Sequence, residues 1–261
     1  MKKKLKILNK NFYQPITCLT AYSASTAKIL DGNVDLVLIG DSLGTTLYGM
    51  KNSQKVTLDM MKLHGLTVTK NIKKSITIID MPFKTYESKK QALKNARELL
   101  KFTKANILKL EINKNNLSIV EYLSSKNINL IAHIGVTPQS FVDFKKIKVV
   151  GRSNRESHSL LNLAVELEKL GAKAILLECV TKETAKKITS SISIPTIGIG
   201  SSKYCDGQVL VFDDLIRVDE TQYLPKFVKS YINFNKLARK VVKQFSNEVK
   251  SKKFPTKKYT Y

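Results

Sequence analysis

The sequence predicts an α/β chain of the (β/α)₈ or TIM-barrel class with a helical extension at its C-terminus. Three observations predict it. Eight short β-branched and aliphatic runs alternate with helical patterns over about 200 residues, the rhythm of parallel strands joined by crossover helices. The runs are apolar nearly throughout, as strands covered on both faces must be. Carboxylates recur at the C-terminal ends of several runs, where barrels of this class assemble their functional groups. An open doubly wound sheet of eight strands in a single domain is the less economical alternative. No Gly-x-Gly-x-x-Gly follows the first strand and "GIGSSKY" is not a phosphate loop, which weakens dinucleotide and nucleotide-binding readings.

The elements follow in order. Strands are placed at 16–21 ("ITCLTA"), 34–40 ("VDLVLIG"), 75–80 ("SITIID"), 107–111 ("ILKLE"), 128–134 ("INLIAHI"), 174–178 ("AILLE"), 195–200 ("PTIGIG") and 209–213 ("VLVFD"). Helices are placed at 23–31, 57–70, 87–104, 115–126, 158–170 and 181–190. In "ESKKQALKNARELLKF" the residues Leu93, Ala96 and Leu100 share one face, with Lys and Glu covering the rest. Gly171 stands where a C-terminal glycine stops the helix before "AILLE". After Pro225 two amphipathic patterns, 226–232 and 235–250, suggest helices outside the barrel. The chain reads as one domain, 1–261, with 226–261 as a basic helical C-terminal extension.

The charge is the unusual feature. The 261 residues include 45 Lys and Arg against 21 Asp and Glu, a formal net charge of +24. Nucleic-acid binding is the first reading of such an excess, and its distribution argues against it. Residues 226–261 carry eleven bases and one acid, the first ten residues carry five bases, and the remaining +9 is spread over the other 215 residues. Forty of the bases are Lys and five are Arg, whereas bidentate phosphate and base recognition favours Arg. The Lys, Asn and Ile enrichment reads as compositional drift on solvated surface, so no nucleic-acid partner is expected. No apolar run reaches 18 residues, and the N-terminal apolar stretch is too short and interrupted for a signal peptide. Cys18, Cys179 and Cys205 are far apart and in no metal or redox spacing. A cytoplasmic protein with reduced thiols and no membrane association fits.

The informative residues are acids at predicted strand ends. Asp41 follows "VDLVLIG", Asp80 ends "SITIID", Glu111 ends "ILKLE" and Glu178 ends "AILLE". Any one of them could cap the next helix. Four on one rim repel each other and call for a cation or a proton. Asp41, Asp80 and Glu111 come from three strands and can converge, and all-oxygen ligation suggests Mg²⁺ or a similar hard ion. Lys109 lies two residues before Glu111, on the same strand face, placed either to bind a substrate carboxylate or to sit in a salt bridge. Ser42 offers a hydroxyl and an N–H to an anion. Glu178, from another strand, is a candidate general base or a structural acid. Of the three histidines only His133 lies at a strand end. An ion held by acids can chelate a 2-oxo acid, acidify the neighbouring carbon and stabilise an enolate. The electrophile is not readable from these residues.

The motifs "LTAYSASTAKI", "LVLIGDSLG", "DMPF-x-x-Y", "LKLE", "AHIGVTPQS", "AILLECV", "IPTIGIG" and "CDGQVLVFDD" resemble, in the same order, those of the 3-methyl-2-oxobutanoate (ketopantoate) hydroxymethyltransferase family, from about residue 5 to about residue 255. The resemblance implies a (β/α)₈ barrel that moves the one-carbon unit of 5,10-methylenetetrahydrofolate to C3 of 3-methyl-2-oxobutanoate. The product is 2-dehydropantoate, formed through a Mg²⁺-stabilised enolate in pantothenate biosynthesis. It further implies Asp41, Asp80 and Glu111 at the metal, with Glu111 the more distant. Asp41, Ser42, Asp80, Lys109 and His133 fall at the substrate, and Glu178 is the proton acceptor. A homo-oligomer, typically a decamer of two five-membered rings, is implied as well. Ser23, Gln54 and 112–116 depart from the family pattern, with Asn113 standing where a positive-φ glycine is usual. The competing enzyme reading is a Mg²⁺-dependent 2-oxo-acid aldolase or lyase of the phosphoenolpyruvate mutase and isocitrate lyase type. That group's cysteine-bearing K-x-C-G-H loop has no counterpart here.

Overall fold

The computed structural model describes residues 7, 8, 10, 14–141, 148–220 and 224–261; most of the basic N-terminal segment lies outside them. Met1–Val211 and Phe212–Tyr261 form two compact units. The first is a closed barrel of eight parallel strands in chain order. They are β1 (Ile16–Thr20), β2 (Leu36–Ile39), β3 (Ile76–Asp80), β4 (Ile107–Glu111), β5 (Leu130–Gly135), β6 (Ala174–Glu178), β7 (Thr196–Ile199) and β8 (Gly207–Leu210). Helices α1 (Ala24–Leu30), α2 (Leu43–Thr46), α3 (Leu58–Thr69), α4 (Lys89–Thr103), α5 (Leu117–Ser125), α6 (Asn154–Lys169) and α7 (Lys182–Ser191) lie in the connections from β1 to β7, α2 and α3 both between β2 and β3, while residues 200–206 join β7 to β8 without a helix.

Strand parity decides what lies inside. Side chains alternate along a strand, and one parity builds the interior core: Ile16 and Cys18, Leu36 and Leu38, Ile76 and Ile78, Ile107, Ile131, Ala174 and Leu176, Ile197 and Val209. Two residues further along, the same parity reaches Asp80, Lys109, His133 and Glu178, and two beyond Lys109 it reaches Glu111. The interior therefore turns from aliphatic to ionisable toward the C-terminal ends of the strands. The opposite parity, with Ile39, Ile79, Leu108 and Leu110 fully buried, faces the helices.

Several boundaries differ from expectation, each for a local reason. Helix α6 starts at Asn154 rather than 158 because Ser153 and Glu156 form a capping box. The buried stripe of α4 is Ala92, Ala96, Leu99 and Thr103, one position off the expected Leu93–Leu100 face. Strand β8 begins at Gly207, opposite Ile16, where a Cβ would lie 2.6 Å from the Ile16 carbonyl oxygen. Phe212 and Asp213, expected in that strand, open helix α8 (Phe212–Ile216), whose first turn holds Asp213 and Asp214, a placement the helix dipole favours. Asn113 does not take a positive φ; its N–H is held by the Asn116 side chain at 2.8 Å.

In the second unit no helix forms over 226–232. Val228 N–H closes a turn on the Pro225 carbonyl, and Tyr231 N–H bonds the Leu215 carbonyl of α8, so the backbone groups that a helix would pair are spent elsewhere. Helix α9 (Phe234–Lys250) does form, capped by the Asn233 side chain and with no buried residue. Phe254 packs edge-on to Phe245. Among the described residues no helix is long and apolar enough to cross a membrane.

Gly135 ends β5 with φ +99°, and a Cβ there would lie 2.4 Å from the carbonyl oxygen of Glu178. Gly135→Ala is expected to cost at least about 1–3 kcal/mol from backbone strain alone; urea unfolding of the two proteins measures it.

Candidate active site

The pairing register assembles the site before any side chain is considered. Asp80 on β3 is the register partner of Lys109 on β4. Glu111 on β4 is the partner of His133 on β5, and Gly135 on β5 is the partner of Glu178 on β6. Four neighbouring strands thus deliver their inward C-terminal residues to one place, and the loop after β2 adds Asp41.

Lys109 Nζ stands 2.9 Å from Asp80 Oδ1, both side chains almost wholly buried. The other Asp80 oxygen, Oδ2, accepts the backbone N–H of Asp41 at 3.0 Å. The His133 ring lies between the two halves of the site. Its Nδ1 is 3.4 Å from Lys109 Nζ and 3.8 Å from Glu111 Oε1, and its Nε2 is 3.3 Å from Glu178 Oε2. A lysine ammonium can only donate, so Nδ1 facing it is the acceptor and a neutral ring carries its proton on Nε2, which forms no hydrogen bond in this arrangement although Glu178 Oε2 lies 3.3 Å away. Burial and the Lys109 charge push the His133 pKa down, which keeps the ring neutral. Ser42 lies at the start of α2, its Oγ 2.7 Å from the Tyr22 hydroxyl.

One residue that sequence reasoning did not single out ties these groups together. Gln139, in the 3₁₀ turn Pro138–Ser140 after β5, is 2% exposed. Its amide Nε2 donates to Asp41 Oδ2 at 2.8 Å and to the Met81 carbonyl at 3.0 Å. Its backbone N–H donates to Glu111 Oε2 at 3.0 Å. Tyr86 OH donates to its Oε1 at 2.6 Å, and Gln54 Nε2 donates to its backbone carbonyl at 2.9 Å. Gln139 and Tyr86 fall inside the motifs "AHIGVTPQS" and "DMPF-x-x-Y"; that position in a motif was the available signal.

The electrostatics are unbalanced. Asp41, Asp80 and Glu111 share this buried space with a single lysine. Burial first, and then the Asp41 charge against the pull of Lys109, pushes Asp80 up to about 7. Burial and Asp41 raise Glu111 well above the ordinary carboxylate range. Burial opposes the Lys109 charge, yet Asp80, Asp41 and Glu111 together hold its ammonium firmly protonated. Burial and the adjacent Glu178 charge push the Cys179 thiol up to about 12, so it is no nucleophile at neutral pH.

The donor set fits a hard divalent cation: three oxygen-bearing acids, a surplus of negative charge and little solvent to screen it. In the present arrangement Lys109 caps Asp80, and Gln139 spans Asp41 and Glu111. Among the described residues no group of three His, Cys, Asp or Glu side chains is placed, as it stands, to hold a metal ion.

The model of the ketopantoate hydroxymethyltransferase family matches residues 2–257. The chain belongs to that family. It is 43% identical over 260 residues to 3-methyl-2-oxobutanoate hydroxymethyltransferase of Pelagibacter ubique, covering 100% of this chain and 99% of the relative. The same enzyme of Campylobacter concisus is 39% identical over 263 residues, covering 100% and 97%. The chain is accordingly an enzyme of the transferase class within this family. Solved structures share the fold at low identity. 2,3-Dimethylmalate lyase, a phosphoenolpyruvate mutase/isocitrate lyase superfamily member, superposes with a TM-score of 0.60 at 12% identity, covering 99% of this chain and 91% of that one. Phosphonopyruvate hydrolase, solved with oxalate and Mg²⁺, gives 0.60 at 10% identity, covering 98% and 92%.

The raised carboxyls have a consequence for stability. With Asp80 held near 7 in the folded protein and near about 3.9 in the unfolded chain, the native state binds the extra proton between those values. Its contribution to stability is complete below about 4 and is lost as pH rises through about 7. Metal-free wild type should therefore lose stability over this window relative to Asp80→Asn, as read by urea unfolding at a series of pH values.

Proposed function

We propose that this enzyme transfers the hydroxymethyl unit from 5,10-methylenetetrahydrofolate to 3-methyl-2-oxobutanoate, giving 2-dehydropantoate for pantothenate biosynthesis. Family membership supports the reaction. The observation that carries the assignment of roles is the Lys109–His133–Glu178 arrangement, in which a partly accessible carboxylate faces a neutral, buried imidazole beside a buried ammonium.

Glu178 is the base. Its side chain is 18% exposed, against 3% for His133, so it is the member of the cluster that meets a substrate entering from solvent. His133 Nε2 lies 3.3 Å from one oxygen of Glu178, which leaves the other for the C3 proton. Lys109, its ammonium held protonated by the acids around it, and Ser42, with its hydroxyl and helix-start N–H, are placed to hold the substrate carboxylate. Asp41 and Asp80, with Glu111 farther out, would hold Mg²⁺, which when bound supplies a Lewis acid for the oxo group. When Glu178 takes the C3 proton, the electron pair left on the substrate attacks the one-carbon unit of the folate. Over the whole reaction tetrahydrofolate leaves and one water supplies the new hydroxyl oxygen. A neutral His133 suits this sequence, because an imidazolium would bind Glu178 as an ion pair and weaken it as a base.

Self-association belongs to the same reading. Along α9 the side chains of Leu237, Val241, Val242, Phe245 and Val249 are all exposed, a stripe at helical spacing that a second copy can cover. It supports a homo-oligomer, with the decamer implied by the resemblance as the specific form and the cytoplasm as its location.

The deciding experiment incubates purified protein with 3-methyl-2-oxobutanoate, 5,10-methylenetetrahydrofolate and Mg²⁺ and assays 2-dehydropantoate. Without folate, the substrate's C3 proton should exchange for deuterium in D₂O. Glu178→Gln is expected to slow exchange by about 10²–10⁴-fold while leaving metal binding intact. Wild-type-like exchange by that variant would remove Glu178 from the role of base.

A further inference from the structure

We infer that Gln139 is a positioning residue for the acidic site, holding Asp41 and Glu111 in a fixed mutual arrangement as cation ligands, with Tyr86 setting the orientation of its amide. This rests on the reading of Asp41, Asp80 and Glu111 as the metal acids.

The argument begins with what carboxylates do unaided. Two buried acids contributed by different strands repel each other and rotate apart unless each is tied down. Asp41 lies in the loop after β2 and Glu111 at the end of β4, with β3 between them, so no ladder hydrogen bond links them directly. Gln139 spans the gap with one residue. The side-chain amide takes Asp41 Oδ2 at 2.8 Å, and the backbone N–H takes the two oxygens of Glu111 at 3.0 and 3.3 Å.

The amide has only one orientation that satisfies its neighbours. Nε2 faces two acceptors, Asp41 Oδ2 and the Met81 carbonyl, while Oε1 faces the Tyr86 hydroxyl at 2.6 Å. A flipped amide would set its oxygen against a carboxylate and a carbonyl. Tyr86 is buried, and burial together with the Glu111 and Asp41 charges raises its pKa, so its hydroxyl remains a donor. The turn itself is held from outside: Gln54, in the 3₁₀ turn Ser53–Lys55, donates to the Gln139 carbonyl at 2.9 Å. Gln54 is a departure from the family pattern, and here it contacts the main chain of the residue that spans the acids. Every polar group of Gln139 is thereby committed at 2% exposure, which is what a rigid support for ligand side chains requires.

Gln139→Met keeps the backbone N–H to Glu111 and about the same volume but removes the donor to Asp41. The experiment titrates Mn²⁺ into wild type, Gln139→Met, Tyr86→Phe and Asp41→Asn, following free Mn²⁺ by electron paramagnetic resonance. Each variant's unfolding midpoint in EDTA is measured alongside. Gln139→Met should weaken Mn²⁺ binding about 10- to 100-fold in protein whose circular dichroism spectrum matches wild type, and Tyr86→Phe should weaken it by a smaller factor. Affinity of Gln139→Met equal to or above wild type overturns the proposal, since Gln139 would then be structural or a competitor for Asp41. If Gln139→Met does not fold, unchanged Mn²⁺ affinity in Tyr86→Phe overturns it instead. If Asp41→Asn binds Mn²⁺ as wild type does, the metal reading itself fails and the proposal falls with it. Loss of affinity in Asp41→Asn without loss in Gln139→Met removes Gln139 alone.

Discussion

The buried pair of Asp80 and Lys109 is the contact around which the site is arranged. Neither ion could remain charged in the barrel interior alone, since desolvation costs several kcal/mol per ion. Together they are register partners on adjacent strands with Nζ and Oδ1 2.9 Å apart. The lysine then sets the state of its other neighbour, because its charge and the burial around it keep His133 neutral. A neutral His133 accepts at Nδ1 and places Nε2 3.3 Å from Glu178 Oε2, so the ring lies between the ion pair and the outermost acid. What Lys109 does not offset is the surplus of acids, so Asp80 and Glu111 are held toward their protonated forms. That surplus is where a divalent cation has the most to gain.

The barrel makes this economical. Each strand needs one inward parity, and the same parity that stacks aliphatic residues at one end presents ionisable ones at the other. Ile76, Ile78 and Asp80 on β3, and Ile107, Lys109 and Glu111 on β4, are consecutive steps of one alternation. The apolar layer below excludes water, which raises the cost of every charge above it and ties each to a partner. Gly135 belongs to the same design, since β5 and β6 approach too closely at Glu178 for a side chain there. The fold neighbours among the phosphoenolpyruvate mutase/isocitrate lyase superfamily share the scaffold at 10–14% identity, a likeness of fold alone.

The large positive charge turns out to be peripheral to this arrangement. The site's surplus is negative, and its one lysine is buried and paired. Helix α9 combines Lys236, Lys240, Lys243 and Lys250 with an exposed apolar stripe, so its basicity keeps a sticky helix soluble as readily as it attracts an anion.

The sequence by itself determined the barrel, its strand order and the acids on its rim, because those depend on local alternation and on the residue that ends each apolar run. Strands β4 and β6 match expectation to the residue. It also carried the family resemblance, which needs only motifs in order. Where elements begin was less legible: β8 starts at Gly207, two residues before the expected Val209, and 226–232 stays non-helical with Tyr231 N–H bonded to the Leu215 carbonyl of α8. Only the tertiary structure decided that Asp80 pairs with Lys109, that His133 lies against Glu178, and that Gln139 spans Asp41 and Glu111. Those links join residues 28 to 98 positions apart. They are set by register and loop closure, and neither leaves a local pattern to read.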